Sequence, residues 1–216
     1  MNSPAGSVAP IRVGGIVLCG GKSVRMGRPK LSLPFGDESM LGRIVRIVSQ
    51  VVSPVVVVAA VEQELPTLPD GTLVTRDEMP DTGPLGGLAS GIAVLRDQVD
   101  AVYLSSCDVP LVRTEFIRAV VASLGTYELA MPRDGQYLHP LAGVYRIGVE
   151  SRVRRLLAEN RLKAQFLAQD SHACLIDTRD FLRIDPNLES LKNVNSADDY
   201  QAALVAANLN SNLGIS

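Results

Sequence analysis

Lys22, Arg25, Arg28 and Lys30 put four cations within nine residues, interleaved with Gly20, Gly21, Gly27 and Pro29. Bare glycine backbone lets N–H groups approach an anion, and the cationic side chains neutralise it. The apolar run Ile11 to Leu18 comes immediately before and reads as a buried strand. A strand that empties into a glycine-rich, cationic loop suits a triphosphate. Two familiar versions of such a loop are excluded. Gly21-Lys22-Ser23 resembles a P-loop, but that pattern needs a glycine where Ile16 stands. Gly20-Gly21 also lacks the G-x-G-x-x-G spacing of a dinucleotide fingerprint. An ordinary turn with solvated charges is the competing reading of the loop by itself.

Carboxylates are the natural counterpart of a phosphate loop. Asp108 lies in Leu104-Ser105-Ser106-Cys107-Asp108-Val109-Pro110, at the end of an apolar strand and just before a proline that stops it. That placement suits Mg²⁺, which takes one or two carboxylates and completes its octahedron with phosphate oxygens and water. A helix cap or turn aspartate is the alternative. Asp77 lies beside Glu78 and Asp81, so local charge does not choose among the three. Gly83-Pro84-Leu85-Gly86-Gly87 leads into a helix, and its glycines admit something flat, such as a nucleobase or ribose, close to the backbone. His139 has no cysteine or second histidine near it in sequence, which argues against zinc. It reads as a loop side chain that either lines a substrate cleft or makes a structural hydrogen bond. Asn193-Val194-Asn195-Ser196 is either a helix cap or an amide-rich loop for a polar substrate.

The elements that position these residues alternate along the chain. Strands are expected at Ile11–Leu18, Val55–Ala60, Thr72–Thr75, Ala101–Ser105, Glu128–Met131, Leu141–Tyr145 and Cys174–Asp177. Helices are expected at Met40–Val51 with Ser39 as N-cap, Gly86–Arg96, Thr114–Leu124, Val149–Glu159, Leu162–Ala168 and Ala197–Ala207. Strands separated by helices imply an α/β fold with a mostly parallel sheet and right-handed crossovers. In such sheets ligands sit at the carboxyl ends of the strands. The cationic loop, Asp77 and Asp108 all fall at such ends.

The chain of 216 residues suits one domain over residues 11–207, between tails at 1–10 and 208–216. A 46% apolar content with no tryptophan points to a core of Val, Leu, Ile and Ala. A net charge of −2 argues against binding nucleic acid or anionic membranes, so the cations of the loop are a local device. Three scattered cysteines make neither a disulfide scaffold nor a zinc site. With no apolar leader in Met1–Pro10 and no apolar run of spanning length, a cytoplasmic protein is expected.

Taken together, these segments resemble the molybdenum cofactor guanylyltransferases of the nucleotidyltransferase superfamily. The family pattern L-A-G-G-x-S-x-R-M-G-x-x-K corresponds to Leu18 through Lys30, and G-P-L-x-G to Gly83 through Gly87. C-D-x-P is Cys107-Asp108-Val109-Pro110, and H-P-L followed by tyrosine is His139-Pro140-Leu141 with Tyr145. The late N-x-N is Asn193-Val194-Asn195. Order and spacing hold from about Val13 to Tyr200. The resemblance implies a three-layer Rossmann-like fold. It implies GTP contacts at Leu18, Cys19, Gly20, Gly21, Lys30, Asp77, Gly83, Pro84, Leu85 and Asp108, with Mg²⁺ on Asp108. Arg25, Lys30 and Asp108 carry the chemistry, and His139, Asn193 and Asn195 face the acceptor. Molybdopterin or its molybdenum-bearing form is that acceptor, with transient contacts to cofactor-biosynthesis proteins and recipient molybdoenzymes.

Two departures stand out. Cys19 replaces the usual alanine, and Val58 or Ala59 stands where an asparagine often ends the second strand. The implied reaction is attack of the molybdopterin phosphate on the α-phosphorus of GTP. Its alternatives are a CTP-dependent or sugar-phosphate nucleotidyltransferase and a noncatalytic adaptor that carries nucleotide or cofactor.

Overall fold

The computed structural model describes residues 11–19, 30–77, 79 and 81–209. The expectations for Gly20, Gly21, Lys22, Arg25 and Arg28, and for the N-terminal tail, lie outside the described residues.

One sheet organises the chain. Its strands are β1 (Val13–Leu18), β4 (Val55–Ala60), β5 (Leu73–Asp77), β6 (Ala101–Ser106), β7 (Leu129–Asp134), β8 (Tyr137–Leu138), β9 (Ala142–Arg146) and β10 (Ala173–Asp177). The order across it is β10-β7-β9-β6-β1-β4-β5, with β8 paired to β7. The pairs β1–β4, β1–β6, β4–β5 and β7–β10 are parallel. β9 runs antiparallel to both β6 and β7, so it is the reversed strand in an otherwise parallel path. A separate two-stranded hairpin, β2 (Pro34–Phe35) with β3 (Glu38–Ser39), precedes the first helix.

Helices cover both faces, which makes three layers. α1 (Met40–Ser49), α3 (Thr114–Ala122) and α6 (Ala197–Ala206) pack with Val17, Val57 and Tyr103 on one face. α2 (Gly83–Leu95), α4 (Glu150–Ala158) and α5 (Ala164–Gln169) pack with Ile16, Val58 and Leu104 on the other. Alternate residues of a strand point to opposite faces. A strand covered on both sides is therefore apolar along its length, as β1, β4 and the first four residues of β6 are. α2 lies so close to β1 that a Cβ added at Gly91 would come 2.5 Å from Ile16 Cδ1, and one at Gly87 would come 2.7 Å from Leu18 Cδ2.

The local caps follow the sequence. The Ser39 hydroxyl accepts from the Gly42 N–H at 3.0 Å and starts α1. Ser196 and Asp199 form a reciprocal capping box at α6. Some boundaries differ from expectation. The Gly83–Gly87 segment is the opening of α2 itself, with Pro84 in its first turn, where a missing N–H costs nothing. Asp77 is the last residue of β5 rather than the loop after it. The described chain continues past α6 to Leu209, which packs beside Gly36.

The strand order creates a switch point. From β1 the chain runs outward through β4 to β5, then returns to place β6 on the other side of β1. The carboxyl ends of β1 and β6 thus flank the crevice where doubly wound sheets bind their ligands. Leu18 and Ser106 are register partners there, and the Cys107 N–H donates to the Leu18 carbonyl at 3.0 Å.

Candidate active site

Asp108 is one step beyond that register pair. Ser106 Oγ donates to its Oδ1 at 2.5 Å. Asn193 Nδ2 reaches both oxygens, at 3.2 Å to Oδ1 and 3.3 Å to Oδ2. The Val194 N–H donates to the Asp108 carbonyl at 2.8 Å. The late Asn-Val-Asn segment therefore lies against the end of β6, 85 residues away in sequence.

The same segment holds a cation. Lys30 Nζ donates to Asn195 Oδ1 at 2.9 Å. The N–H groups of Asn195 and Ser196 donate to Asp199 Oδ2 at 2.9 and 2.8 Å. Those N–H groups, the Ser196 hydroxyl and the nearby Lys30 charge hold the Asp199 carboxyl below its ordinary range. Ser196 caps α6, as weighed for this segment, while the two asparagines turn to Asp108 and Lys30.

A cavity of about 170 Å³ opens beside this cluster. Ser106, His139, Ser190 and Asn193 supply its polar lining, and Val109, Leu138, Pro140, Leu141 and Leu191 much of its apolar lining. His139 belongs to the turn between β8 and β9. Its N–H donates to the Pro132 carbonyl, and its own carbonyl accepts from the Ala142 N–H. Tyr145, buried in the sheet, donates its hydroxyl to the Pro140 carbonyl at 2.7 Å and pins this turn. Burial pushes the His139 imidazole below its ordinary pKa, partly opposed by the Asp134 carboxylate.

The remaining predicted residues lie elsewhere along the carboxyl edge. Asp77 is taken up locally, accepting from the Met79 N–H at 3.0 Å and the Ser90 hydroxyl at 3.4 Å. Leu85 is 1% exposed, its side chain packed within the apolar core. Leu18 and Cys19 are likewise buried. Cys19 faces the α1 side, and its thiol is raised well above its ordinary pKa, first by a hydrogen bond with Cys107 and then by burial. Both positions where the family often has asparagine are closed: Val58 is 2% exposed and Ala59 fully buried, and the Val58 carbonyl accepts from the Cys19 N–H at 2.8 Å.

Sequence reasoning missed Ser106, Ser190 and Asp185. The first left a signal, as one of two hydroxyls ending an apolar strand. Asp185 left none. It is fully buried and accepts from the N–H groups of Glu189 and Ser190, at 2.9 and 2.8 Å. These bonds shape the turn that carries Ser190 and Leu191 to the cavity.

Among the described residues no group of three or more His, Cys, Asp or Glu side chains could hold a metal. That donor set does not suit an all-protein cage. It does suit an ion that Asp108 shares with phosphate oxygens and water, as Mg²⁺ commonly is. The carboxylate keeps lone pairs beyond those used by Ser106 and Asn193.

Comparison with known proteins agrees with this fold. Residues 15–173 match the model of the MobA-like NTP transferase domain. A probable molybdenum cofactor guanylyltransferase of Mycobacterium tuberculosis is 36% identical over 200 residues, covering 90% of this chain and 94% of its own. Among solved structures, molybdopterin-guanine dinucleotide biosynthesis protein A from Archaeoglobus fulgidus superposes with a TM-score of 0.73 at 17% identity, over 90% of this chain and 98% of its own. A Mycobacterium tuberculosis protein solved in complex with manganese superposes with a TM-score of 0.59 at 17% identity, over 90% of this chain and 99% of its own. The fold, the cluster at the switch point and the matched family model lead to one conclusion: this chain belongs to the MobA-like NTP transferases.

Proposed function

We propose that the protein transfers GMP from GTP to the terminal phosphate of molybdopterin, releasing pyrophosphate and forming the guanine dinucleotide of the cofactor. The observation that carries this reading is the joining of Lys30 and Asp108 through Asn195 and Asn193, beside a cavity lined by His139. A cation, a carboxylate and a partly apolar recess lie side by side, as a triphosphate, a divalent ion and a pterin-bearing phosphate require. The similarity to probable molybdenum cofactor guanylyltransferases supports the same substrates.

Two anions must meet, so positioning and charge neutralisation make up most of the catalysis. Lys30, with Lys22 and Arg25 of the loop, binds the triphosphate. Leu18, Cys19, Gly20, Gly21, Gly83, Pro84 and Leu85 meet the nucleotide through their backbone, and Asp77 through its carboxylate. His139, Asn193 and Asn195 face the acceptor. Asp108 holds Mg²⁺, a reading supported by the manganese-bound structural neighbour. When bound, that ion neutralises phosphate oxygens and stabilises transition-state charge. The attacking phosphate is already ionised at neutral pH, so no general base is needed. The protein works in the cytoplasm between the proteins that make molybdopterin and the enzymes that receive the finished cofactor.

Purified protein incubated with molybdopterin, Mg²⁺ and α-labelled GTP or CTP tests the reading. Label is expected to enter a dinucleotide from GTP, with pyrophosphate released in equal amount. Label entering from CTP instead, or no pyrophosphate from either nucleotide, overturns it.

A further inference from the structure

Asn193 and Asn195 flank Val194 in the irregular segment before α6, and their side chains turn to Asp108 and Lys30 while that of Val194 turns inward. Val194 is 2% exposed and packs into the core. It anchors the stretch from below, while its N–H bonds the Asp108 carbonyl. The capping box of Ser196 and Asp199 anchors the stretch at the start of α6. Two side-chain amides thus stand on a backbone fixed at both ends. One spans both oxygens of Asp108, and the other takes an N–H of Lys30.

We propose that residues 193–195 form a two-pronged clip that sets Asp108 and Lys30 in place relative to each other before substrate arrives. The inference rests on the nucleotidyl-transfer reading and adds a role for the two amides: they are positioning residues acting through Asp108 and Lys30. Asn193, bonded to both oxygens, fixes the plane of the carboxylate. With Ser106 on Oδ1, it leaves the remaining lone pairs to aim at an ion. A free lysine loses considerable rotamer freedom when it docks on a ligand. Asn195 removes part of that freedom beforehand and uses one of the three ammonium donors, leaving two for phosphate.

Binding by the free protein, without acceptor and without turnover, tests the clip. Mn²⁺ alone is titrated by electron paramagnetic resonance, and GTP by calorimetry. Asn193→Ala is expected to weaken Mn²⁺ binding about tenfold, the size typical for loss of a partner behind a metal ligand. Asn195→Ala is expected to weaken GTP severalfold and leave Mn²⁺ unchanged. Asn193→Leu keeps the side-chain branching without the donor, and serves if the alanine variant fails to fold. Unchanged Mn²⁺ and GTP affinities in both variants, with only the KM for molybdopterin raised, would show the amides to act on the acceptor alone, with no hold on Asp108 or Lys30, and overturn the clip by itself. A wild-type protein that binds neither Mn²⁺ nor GTP overturns the clip together with the function it rests on.

Discussion

Replacing Asp185 is expected to damage stability and the cavity together. Its carboxylate is fully buried and accepts two backbone N–H bonds, from Glu189 at 2.9 Å and Ser190 at 2.8 Å. Arg113 Nε lies 3.6 Å from Oδ1, but that guanidinium is substantially exposed and also pairs with Glu189 at 2.5 Å. An exposed pair of this kind contributes little. The two N–H bonds to an ionised group are worth about 1.5 kcal/mol each at the low end. Asp185→Ala deletes both acceptors and leaves two N–H groups without partners, so the loss is about 3 kcal/mol. For a domain of this size that is about 6–12 °C in Tm. Asp185→Asn keeps the shape and one accepting oxygen, but turns an NH₂ group toward the second N–H, and falls between the two.

The turn that Asp185 folds has Leu188 at φ +50°, a strained left-handed geometry that the two N–H bonds help to hold. Ser190 and Leu191 on that turn line the cavity, with Asn193 close behind. The alanine variant is therefore expected to raise the KM for the acceptor more than that for GTP. Urea unfolding followed by circular dichroism reads the stability, and pyrophosphate release at varied substrate reads the kinetics. An Asp185→Ala protein within about 0.5 kcal/mol of wild type would refute the reasoning, because that is the scale of an unremarkable surface change.

Further expectations concern the packing, the thiols and the histidine. Gly91→Ala puts a Cβ 2.5 Å from Ile16 Cδ1 and 2.8 Å from its Cγ2. An overpacking cost of about 1–3 kcal/mol outweighs the gain of about 1 kcal/mol in helix propensity, so a lower melting temperature is expected and an unchanged or higher one contradicts the close α2–β1 contact. Cys19 and Cys107 are buried and Cys174 only partly so. A thiol reagent should therefore label Cys174 first and the other two only on unfolding, and fast native labelling of Cys19 would contradict its placement. Burial lowers the His139 pKa from 6.5, so the unfolded chain takes the proton more readily. Its contribution to stability is complete above that value and is lost as pH falls below it. His139→Gln should flatten the fall of the urea midpoint in that range, and an unaltered pH profile counts against the burial of the imidazole.

What could be read from the sequence follows from how local each signal is. β1, β4 and the body of β6 are apolar because both faces are covered, and Ser39 and Ser196 cap the helices they precede. Such features depend on neighbours within a few residues. Asp108 at a strand end and the Asn193–Asn195 pair were visible as candidates for the same reason. Their union was not, because it depends on strand order: β6 returns to the far side of β1, and the chain after β10 reaches back to β6. The reversal of β9 was equally hidden, since an apolar strand looks the same in either direction. Asp185 stayed hidden because an aspartate in a polar stretch carries no mark of burial. The Gly83–Gly87 segment was placed before a helix because glycine and proline discourage helix interiors. In the fold they sit in a first turn, where proline is tolerated, and Gly87 is used for contact with Leu18.

The alternation along β1 also bears on the residue that departs from the family pattern. Ile16 and Leu18 face α2, so Val17 and Cys19 face α1. Cys19 is 1% exposed, and its thiol meets Cys107 across the β1–β6 pair. The exchange of alanine for cysteine is thus absorbed inside the core, on the face away from Gly87 and Asp77. Any contact Cys19 makes with a nucleotide runs through its backbone, which alanine would offer equally. A Cys19→Ala protein should therefore keep its preference between GTP and CTP.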